Sequence, residues 1–318
     1  MRVQYQRYSE ELEDVWDRFV NDAWNGTFLH SRRFLSYHGR RFEDASLLVN
    51  DEDGRTIAVF PAAAHPVAKD TVVSHPGATF GGLVAGGQCR GESCITALRE
   101  IADHYRGMGF KKLLYKVTPH IYHQIPFQDD LYALFRLGFR RVRCDISATV
   151  TKHDRPALTK GRKYEINKAK KRGVEVFEGL DQLASIYELI ASNLWQAHQA
   201  KPVHSIEELG VLHSKFPANV RFFAAKLDTE VVAGLVMFNF KNVSHTQYIA
   251  SNDKGREAGA LDALIESNIN AAFAEGYRYF DFGISNEQDG QILNEGLYRY
   301  KRTFGAGSVV HEFYELDL

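Results

Sequence analysis

One stretch of the chain, residues 243–283, predicts a strand, a polar loop, a helix and a second strand, in that order. Alternating apolar residues indicate the first strand at 243–250, and the second strand occupies 277–282. Between them, apolar residues at helical spacing predict a helix over about 260–275, which Gly276 is suited to end. The glycine-containing loop before this helix directs free backbone N–H groups and the positive helix end outwards. Such a unit favours binding of a phosphate-bearing ligand.

Length and composition limit the class of protein. The chain has 318 residues, which suits two domains of about 150 residues each. Apolar residues make up 44% and charged residues 25%, as is usual for a globular protein and unlike a disordered one. The net charge of −1 argues against binding of nucleic acid over the whole surface, although a local basic patch is compatible with it.

The start of the chain contains no apolar signal-peptide core. No run approaches the roughly 18 apolar residues that a membrane-spanning helix needs. We therefore expect neither a signal peptide nor a transmembrane segment. The expected location is the cytoplasm, and attachment to the inner face of the membrane stays open.

Cysteine and histidine usage predicts neither disulfides nor a metal site. Cys89, Cys94 and Cys144 form no even framework and no CxxC pair, so reduced thiols are expected. Among the 13 histidines, none has the spacing of a zinc motif on one element. His120 and His123 lie close in sequence, but the prolines that flank them favour a loop with a structural pair. We predict no metal ion.

A strongly basic segment opens the second half of the chain. Residues 152–172 contain nine Lys or Arg against two acids, and Thr159 and Gly173 are suited to begin and end a helix there. The apolar stripe is thin, so most of this helix is expected to face solvent or a ligand. Its charge would attract phosphates, and a nucleotide-linked sugar, a tRNA acceptor stem and an anionic lipid surface each fit.

Both halves of the chain follow a similar order of elements: helices, a strand hairpin, a glycine-rich connection, a helix and further strands. Hairpin-like strands outnumber strand–helix–strand units, which favours mixed sheets over a continuous doubly wound sheet. We therefore predict an α/β (α+β) protein of two tandem units, 1–150 and 151–318. Each unit is expected to contain a mixed, largely antiparallel sheet flanked by helices.

Four segments of the sequence resemble the FemABX-like branch of the GNAT superfamily of N-acyltransferases, and they lie in both halves of the chain. The segments are GLYRYKRTFGA (296–306), GRKYEINKAKKRGVEV (161–176), IYHQIPFQDDLYALFRLGF (121–139) and SHPGATFGGLV (74–84). The resemblance implies two GNAT-like units, of which the N-terminal one serves the acceptor and the C-terminal one holds the acyl donor. It also implies acetyl-CoA as the donor.

The resemblance implies catalytic roles for residues of the closing motif. Lys301 corresponds to a lysine at the reaction centre of the family, where a fixed cation can stabilise the oxyanion of acyl transfer. Tyr298 and Tyr300 offer a phenol as general acid. Asp281 lies at the end of the second strand, where open α/β sheets place their ligands, and it could deprotonate or orient the acceptor. No GxSxG or Cys–His signature is present, which favours direct attack on the donor over an acyl-enzyme.

The predicted donor-phosphate site lies in the loop before the helix. Small residues permit close approach of a ligand to the backbone, and Arg256 adds positive charge. Arg256 and Gly259 match the (Q/R)xxGx(G/A) pattern of acyl-CoA-binding GNAT enzymes, whereas Leu261 stands where that pattern has a small residue. The predicted donor-binding residues are Asn252, Lys254, Gly255, Arg256, Gly259 and Ala260.

The acceptor suggested by the resemblance is a primary amine on a nucleotide- or lipid-linked amino sugar, or on a similar cell-envelope precursor. Two alternatives stay open: an aminoacyl-tRNA donor gripped by the basic helix 160–172, and a non-catalytic module that binds a nucleotide-sugar. The oligomeric state is not predicted. The expected acceptor-binding residues are His30, Arg33, Tyr37, His75, Phe80 and Asn286.

Overall fold

A computed structural model describes residues 3–318 of the chain, apart from the side chain of residue 198. The chain divides into two compact units. Unit 1 comprises Met1–Asp145, Gln288–Ile292 and Val310–Leu318, and unit 2 comprises Ile146–Glu287 and Leu293–Val309. Unit 1 thus includes two C-terminal segments that the sequence-based division places in the second domain.

The described residues form ten α-helices and sixteen strands, with short 3₁₀ turns between them. The helices are α1 (Glu13–Asp22), α2 (Arg32–Leu35), α3 (Glu92–Gly107), α4 (Asp129–Arg136), α5 (Lys160–Lys171), α6 (Leu183–His198), α7 (Ile206–Lys215), α8 (Asp253–Ala258), α9 (Ala260–Ala274) and α10 (Glu295–Arg302). The strands are β1 (Gln4–Arg7), β2 (Leu47–Asn50), β3 (Thr56–Phe60), β4 (Ala63–Ala64), β5 (Thr71–Val73), β6 (Val84–Ala85), β7 (Lys112–Lys116), β8 (Arg140–Thr151), β9 (Glu175–Glu178), β10 (Val220–Leu227), β11 (Glu230–Asn239), β12 (Val243–Ser251), β13 (Tyr279–Ile284), β14 (Asn286–Glu287), β15 (Ile292–Leu293) and β16 (Gly307–Asp317).

Unit 1 contains an antiparallel sheet of order β1-β2-β3-β6 and a second set of strands in the order β4-β5-β7-β16. Within the second set, β5 and β7 are parallel, with Val73 opposite Leu114. Helix α3 packs its apolar face into the core of this unit, where Leu98, Ile101 and Tyr105 are buried. The Tyr105 hydroxyl donates to the Ala45 carbonyl, so its polar end is also satisfied.

Unit 2 contains one sheet of order β8-β13-β12-β11-β10-β9, which is antiparallel except for the β12–β13 pair. Helix α6 places Ile186 against Gly234 of β11, and α9 clusters with the neighbouring residue Leu235. Because successive strand residues point to opposite faces, helices cover both faces of this sheet. The predicted fold class, two GNAT-like units with mixed sheets and flanking helices, is confirmed.

The basic segment forms helix α5, and Thr159 accepts a hydrogen bond from the Arg162 backbone as the predicted N-cap. Its buried residues are Ile166 and Ala169, as the thin apolar stripe predicted. Helix α5 packs against α9 through this stripe. Among residues 3–318, no helix is long and apolar enough to cross a bilayer.

Candidate active site

Strands β12 and β13 separate at the centre of unit 2. They are paired in parallel at three positions, of which His245 opposite Asp281 is the last. Beyond it, β12 continues to Ser251 along β11, and β13 continues to Ile284 along β8. No further β12–β13 pair occurs in the described residues, so the facing edges leave a crevice with backbone groups available to a ligand. Carboxyl ends of parallel strands are where open sheets of this kind place ligands.

The carboxylate of Asp281 lies at the base of this crevice and is fully buried. Its Oδ1 accepts hydrogen bonds from the hydroxyls of Ser147 (2.5 Å) and Thr149 (2.8 Å) on β8. Its Oδ2 lies 2.7 Å from Nδ1 of His245. Two hydroxyl donors on Oδ1 favour the ionised carboxylate. In this structure the buried carboxylate contacts His245 directly, and the role of Asp281 toward an acceptor stays a prediction.

His245 is a site residue that the sequence analysis missed. Its side chain is 9% exposed, and its ring lies beside Gly283, where a Cβ atom would stand 3.3 Å from Cε1. Gly283 has a positive φ of 72°. His245 and Asp281 are 36 residues apart and pair across two parallel strands. The spacing of histidines along one element therefore does not reveal this pair.

Lys301 lies on α10, and its side chain is buried under the end of β13. Its Nζ donates to the carbonyls of Gly283 (2.9 Å) and Ile284 (2.7 Å). An ammonium has three N–H donors, and the third has no acceptor among the residues described here. Burial lowers the pKa of Lys301 to about 8, and the negative charge of Asp281 opposes this shift. A cation with one available donor therefore lies at the end of the crevice.

The two predicted tyrosines differ in their surroundings. The Tyr300 hydroxyl donates to Asp262 at the first turn of α9 (2.7 Å), and Arg162 pairs with the same carboxylate. Burial and the charge of Asp262 raise the pKa of Tyr300 well above its usual value, which makes it a poor acid. Tyr298 precedes Lys301 by almost one helical turn and is half-buried, and its hydroxyl has no hydrogen-bond partner within residues 3–318.

The predicted donor loop is largely a short helix, α8, and the expectation of an open loop is wrong here. Asn252 caps α8 by accepting from the Gly255 backbone (2.8 Å), and Gly259, with φ 72°, separates α8 from α9. A Cβ atom at Gly255 would lie 2.2 Å from the Val232 carbonyl oxygen, and one at Gly259 would lie 2.5 Å from that of Glu165. Both glycines therefore permit close packing against protein backbone.

The cations of this segment are each paired with an acid. Arg256 donates to the Ser251 carbonyl and to the Asp253 carboxylate, both at 2.5 Å, while Lys254 pairs with Glu230 at 2.8 Å. Arg256 and Lys254 are about half exposed. Ion pairs this exposed contribute little stability, so a phosphate group could replace the acid as partner.

A cleft of about 610 Å³ lies beside Asn252 and is not suited to phosphate. Its lining includes three acids, Asp181, Glu188 and Glu230, and one cation, Lys226. Negative charge in such a cleft repels an anionic ligand. No group of residues able to hold a metal ion occurs in the described part of the chain.

The predicted acceptor residues of unit 1 form two groups. His30 and Phe80 are buried with ring centroids 5.7 Å apart, and burial lowers the pKa of His30 to about 3, so its ring stays neutral. The rings of Tyr37 and His75 both lie near the ring of His38, with centroid distances of 4.0 and 5.2 Å. Arg33 on α2 is exposed. In unit 2, Asn286 accepts a hydrogen bond from the Ile146 backbone (2.6 Å).

Unit 1 has its own parallel strand pair, but a loop fills the end of it. The Lys116 backbone N–H donates to the Ser74 hydroxyl (2.8 Å), and the Lys116 carbonyl accepts from Gly81 (3.0 Å). The buried Lys116 ammonium donates to the carbonyls of His75 and Ala78 in the same loop. Burial lowers the pKa of Lys116 to about 7. Of these two parallel strand pairs among the described residues, only that of unit 2 therefore separates without a loop between its strand ends.

Comparison with known proteins agrees with this arrangement. Residues 159–302 match a family described as an acetyltransferase (GNAT) domain. No curated protein sequence matches the chain significantly.

Three solved structures have a similar fold over nearly the whole chain. The structure of FemX gives a TM-score of 0.70 at 13% identity, covering 99% of this chain and 97% of FemX. The C-terminal domain of a putative lysylphosphatidylglycerol synthetase from Agrobacterium fabrum gives 0.61 at 13% identity, covering 96% and 90%. A tandem GNAT protein from the clavulanic acid biosynthesis pathway gives 0.56 at 10% identity, covering 99% and 98%. At such low identity the likeness concerns the fold.

Proposed function

We propose that this chain is an acyltransferase of the GNAT superfamily and that it transfers an acetyl group from acetyl-CoA to a primary amine. The match of residues 159–302 to a GNAT domain and the FemX-like tandem fold support this proposal. The observation that carries the proposal is the buried Lys301 ammonium at the separating ends of β12 and β13. Two of its N–H groups are held by the carbonyls of Gly283 and Ile284. The third is available to the oxyanion that forms during acyl transfer.

We assign the donor to unit 2. An extended pantetheine arm can add its amides to the unpaired edges of β12 and β13, in the manner of a peptide that joins a sheet edge. In unit 1 the loop around Ser74 and Gly81 occupies the corresponding strand end. The pyrophosphate would lie near α8, where Arg256 exchanges Asp253 for a phosphate oxygen.

The proposed reaction is direct attack. The acceptor nitrogen bonds to the thioester carbonyl carbon, the oxygen becomes an oxyanion held by Lys301, and the carbon–sulfur bond then breaks. The thiolate leaves with the bonding electron pair. Tyr298 can supply its proton, because its hydroxyl has no other partner among the described residues.

For the acceptor we propose an amino sugar carried by a nucleotide or a lipid, or a comparable cell-envelope precursor. Its phosphate groups would complement the exposed face of α5. That face also carries Tyr164, which is 66% exposed. The lysines around it that have no ion pair among the described residues are Lys160, Lys163, Lys170 and Lys171.

Calorimetric titration with acetyl-CoA and with free CoA tests the donor, and release of free thiol in the presence of nucleotide- and lipid-linked amino sugars tests the reaction. We expect saturable CoA binding and thiol release that depends on the amine. Absence of CoA binding at millimolar concentration would falsify the assigned donor. Binding without thiol release from any amine would favour a non-catalytic binding module.

The basic face of α5 also supports a second candidate, transfer from an aminoacyl-tRNA. A tRNA held by these lysines would dissociate steeply as salt is raised, because each neutralised phosphate releases counterions. The test compares tRNA binding by the wild-type chain with that of a variant in which the four lysines are replaced by glutamine. Salt-sensitive tRNA binding without CoA binding would favour this candidate over acetyl-CoA.

A further inference from the structure

We propose that His245 is the catalytic base that takes the proton from the acceptor amine, and that Asp281 is the positioning residue that holds its ring. The inference rests on the proposed acyl transfer to an amine. It concerns the parallel strand pair at which β12 and β13 separate, where His245 stands opposite Asp281.

The hydrogen bond between the two side chains determines which ring nitrogen is basic. Ser147 and Thr149 both donate to Oδ1 of Asp281, which favours the ionised carboxylate, and an ionised carboxylate has only acceptor oxygens. Nδ1 of His245 therefore carries a proton and donates it to Oδ2 over 2.7 Å. In this tautomer the lone pair of the imidazole lies on Nε2, as a base requires.

The position of His245 fits a group that reaches a ligand. The Asp281 carboxylate is fully buried, whereas the His245 side chain keeps 9% of its surface exposed at the start of the crevice. Next to the ring stands Gly283, where a Cβ atom would lie 3.3 Å from Cε1 and 3.9 Å from Nε2. The absence of a side chain at this residue leaves room for the ring in this position.

Gly283 also connects the base to the cation. Its carbonyl accepts a hydrogen bond from Lys301, so the imidazole and the ammonium both lie close to this one residue. The charged partner of the ring itself is Asp281. A base and an oxyanion-stabilising cation at this spacing can act on the two ends of one tetrahedral intermediate, the nitrogen and the oxygen.

The step balances without a further reactant. The acceptor nitrogen forms a bond to the carbonyl carbon and loses one proton to Nε2 of His245. The imidazolium that results is stabilised by the negative charge of Asp281. The thiolate leaves with the carbon–sulfur electron pair and takes a proton from Tyr298. The imidazolium then releases its proton to water, and the Tyr298 phenolate takes one proton from water, so both groups are restored.

The test compares His245→Ala, His245→Gln and Asp281→Asn with the wild type in the thiol-release assay. We expect kcat of both His245 variants to fall roughly 100- to 10,000-fold, while KM for acetyl-CoA changes little. Added imidazole should restore part of the activity of His245→Ala.

His213→Ala is the matched control. This histidine of unit 2 bonds through Nδ1 to the Val220 carbonyl at 2.7 Å, away from β12 and β13, and its replacement should leave kcat and the pH profile unchanged. Thermal melting of each variant establishes that it is folded. If Asp281→Asn does not fold, the kcat values of the two His245 variants and the imidazole rescue decide whether His245 is the base.

The outcomes separate this inference from the proposed function. A wild-type chain that releases no thiol with any amine overturns both. A wild-type chain that is active, together with folded His245 variants that keep its kcat, overturns the role of His245 alone.

Discussion

The ammonium of Lys301 on α10 donates to the carbonyl oxygen of Gly283 at the end of β13, over 2.9 Å. This bond joins the closing motif of the chain to the strand that carries Asp281. The side chain is almost completely buried, and burial lowers its pKa to about 8. A lysine in this setting is charged at neutral pH and loses its charge in mildly alkaline solution.

Replacement of Lys301 by Met should lower kcat by roughly 100-fold, because the oxyanion loses its cationic donor. The affinity for CoA should change little. The wild-type rate should decline as pH rises above about 8, the pKa of Lys301, because the ammonium then loses its proton. In Lys301→Arg the decline should move to higher pH, since arginine stays protonated.

The control for this prediction is Lys152→Met, at an exposed lysine of unit 2. It should leave kcat and the alkaline decline unaltered. A Lys301→Met variant with full activity would remove the lysine from the mechanism.

The sequence could predict the fold class and could single out Lys301 because both depend on local patterns, while the catalytic role of Lys301 stays a prediction. Apolar periodicity marks α9, whose Leu264 and Ile265 are buried as predicted. The resemblance of a short motif identifies Lys301. Neither signal requires knowledge of which strands become neighbours.

The pairing of His245 with Asp281 could not be read from the sequence in the same way. It depends on the register of two parallel strands, and a shift of one strand by one residue would place the two side chains on opposite faces of the sheet. The burial of His30 and Phe80 likewise follows from tertiary packing. Residue type alone does not distinguish such core residues from ligand contacts.

Gly283→Ala should reduce kcat at least about 10-fold while CoA affinity is kept, since a misplaced catalytic group is costly to the rate. The added Cβ would stand 3.3 Å from Cε1 of His245, so the ring must shift. An alanine at the positive φ of 72° is strained, which should lower the free energy of unfolding by roughly 1 kcal/mol. Gly276→Ala is the matched control, because it has φ 103° and nothing within 4 Å of the added Cβ. The Gly276→Ala variant should show the same loss of stability but keep kcat. Equal activities of the two variants would contradict the idea that the position of the His245 ring matters to the rate.

Gly255→Ala should lower the free energy of unfolding by roughly 1–3 kcal/mol, because its Cβ would lie 2.2 Å from the Val232 carbonyl oxygen and α8 must move. Gly210→Ala in α7 meets nothing within 4 Å and should instead raise stability by up to about 1 kcal/mol. Chemical denaturation measures both. CoA titration of Gly255→Ala then reports whether the position of α8 matters to the donor, and an unchanged stability would refute the packing role of this glycine.

Tyr298→Phe and Tyr300→Phe should separate catalysis from stability. The Tyr300 hydroxyl bonds to Asp262 at 2.7 Å in a buried setting, so its removal should lower the free energy of unfolding by about 1–2 kcal/mol with kcat nearly unchanged. Tyr298 has no such partner among the described residues, and its removal should leave stability intact. If Tyr298 protonates the leaving thiolate, kcat of Tyr298→Phe should fall roughly 10-fold or more. The reverse pattern, with kcat lost only in Tyr300→Phe, would assign the acid to Tyr300 instead.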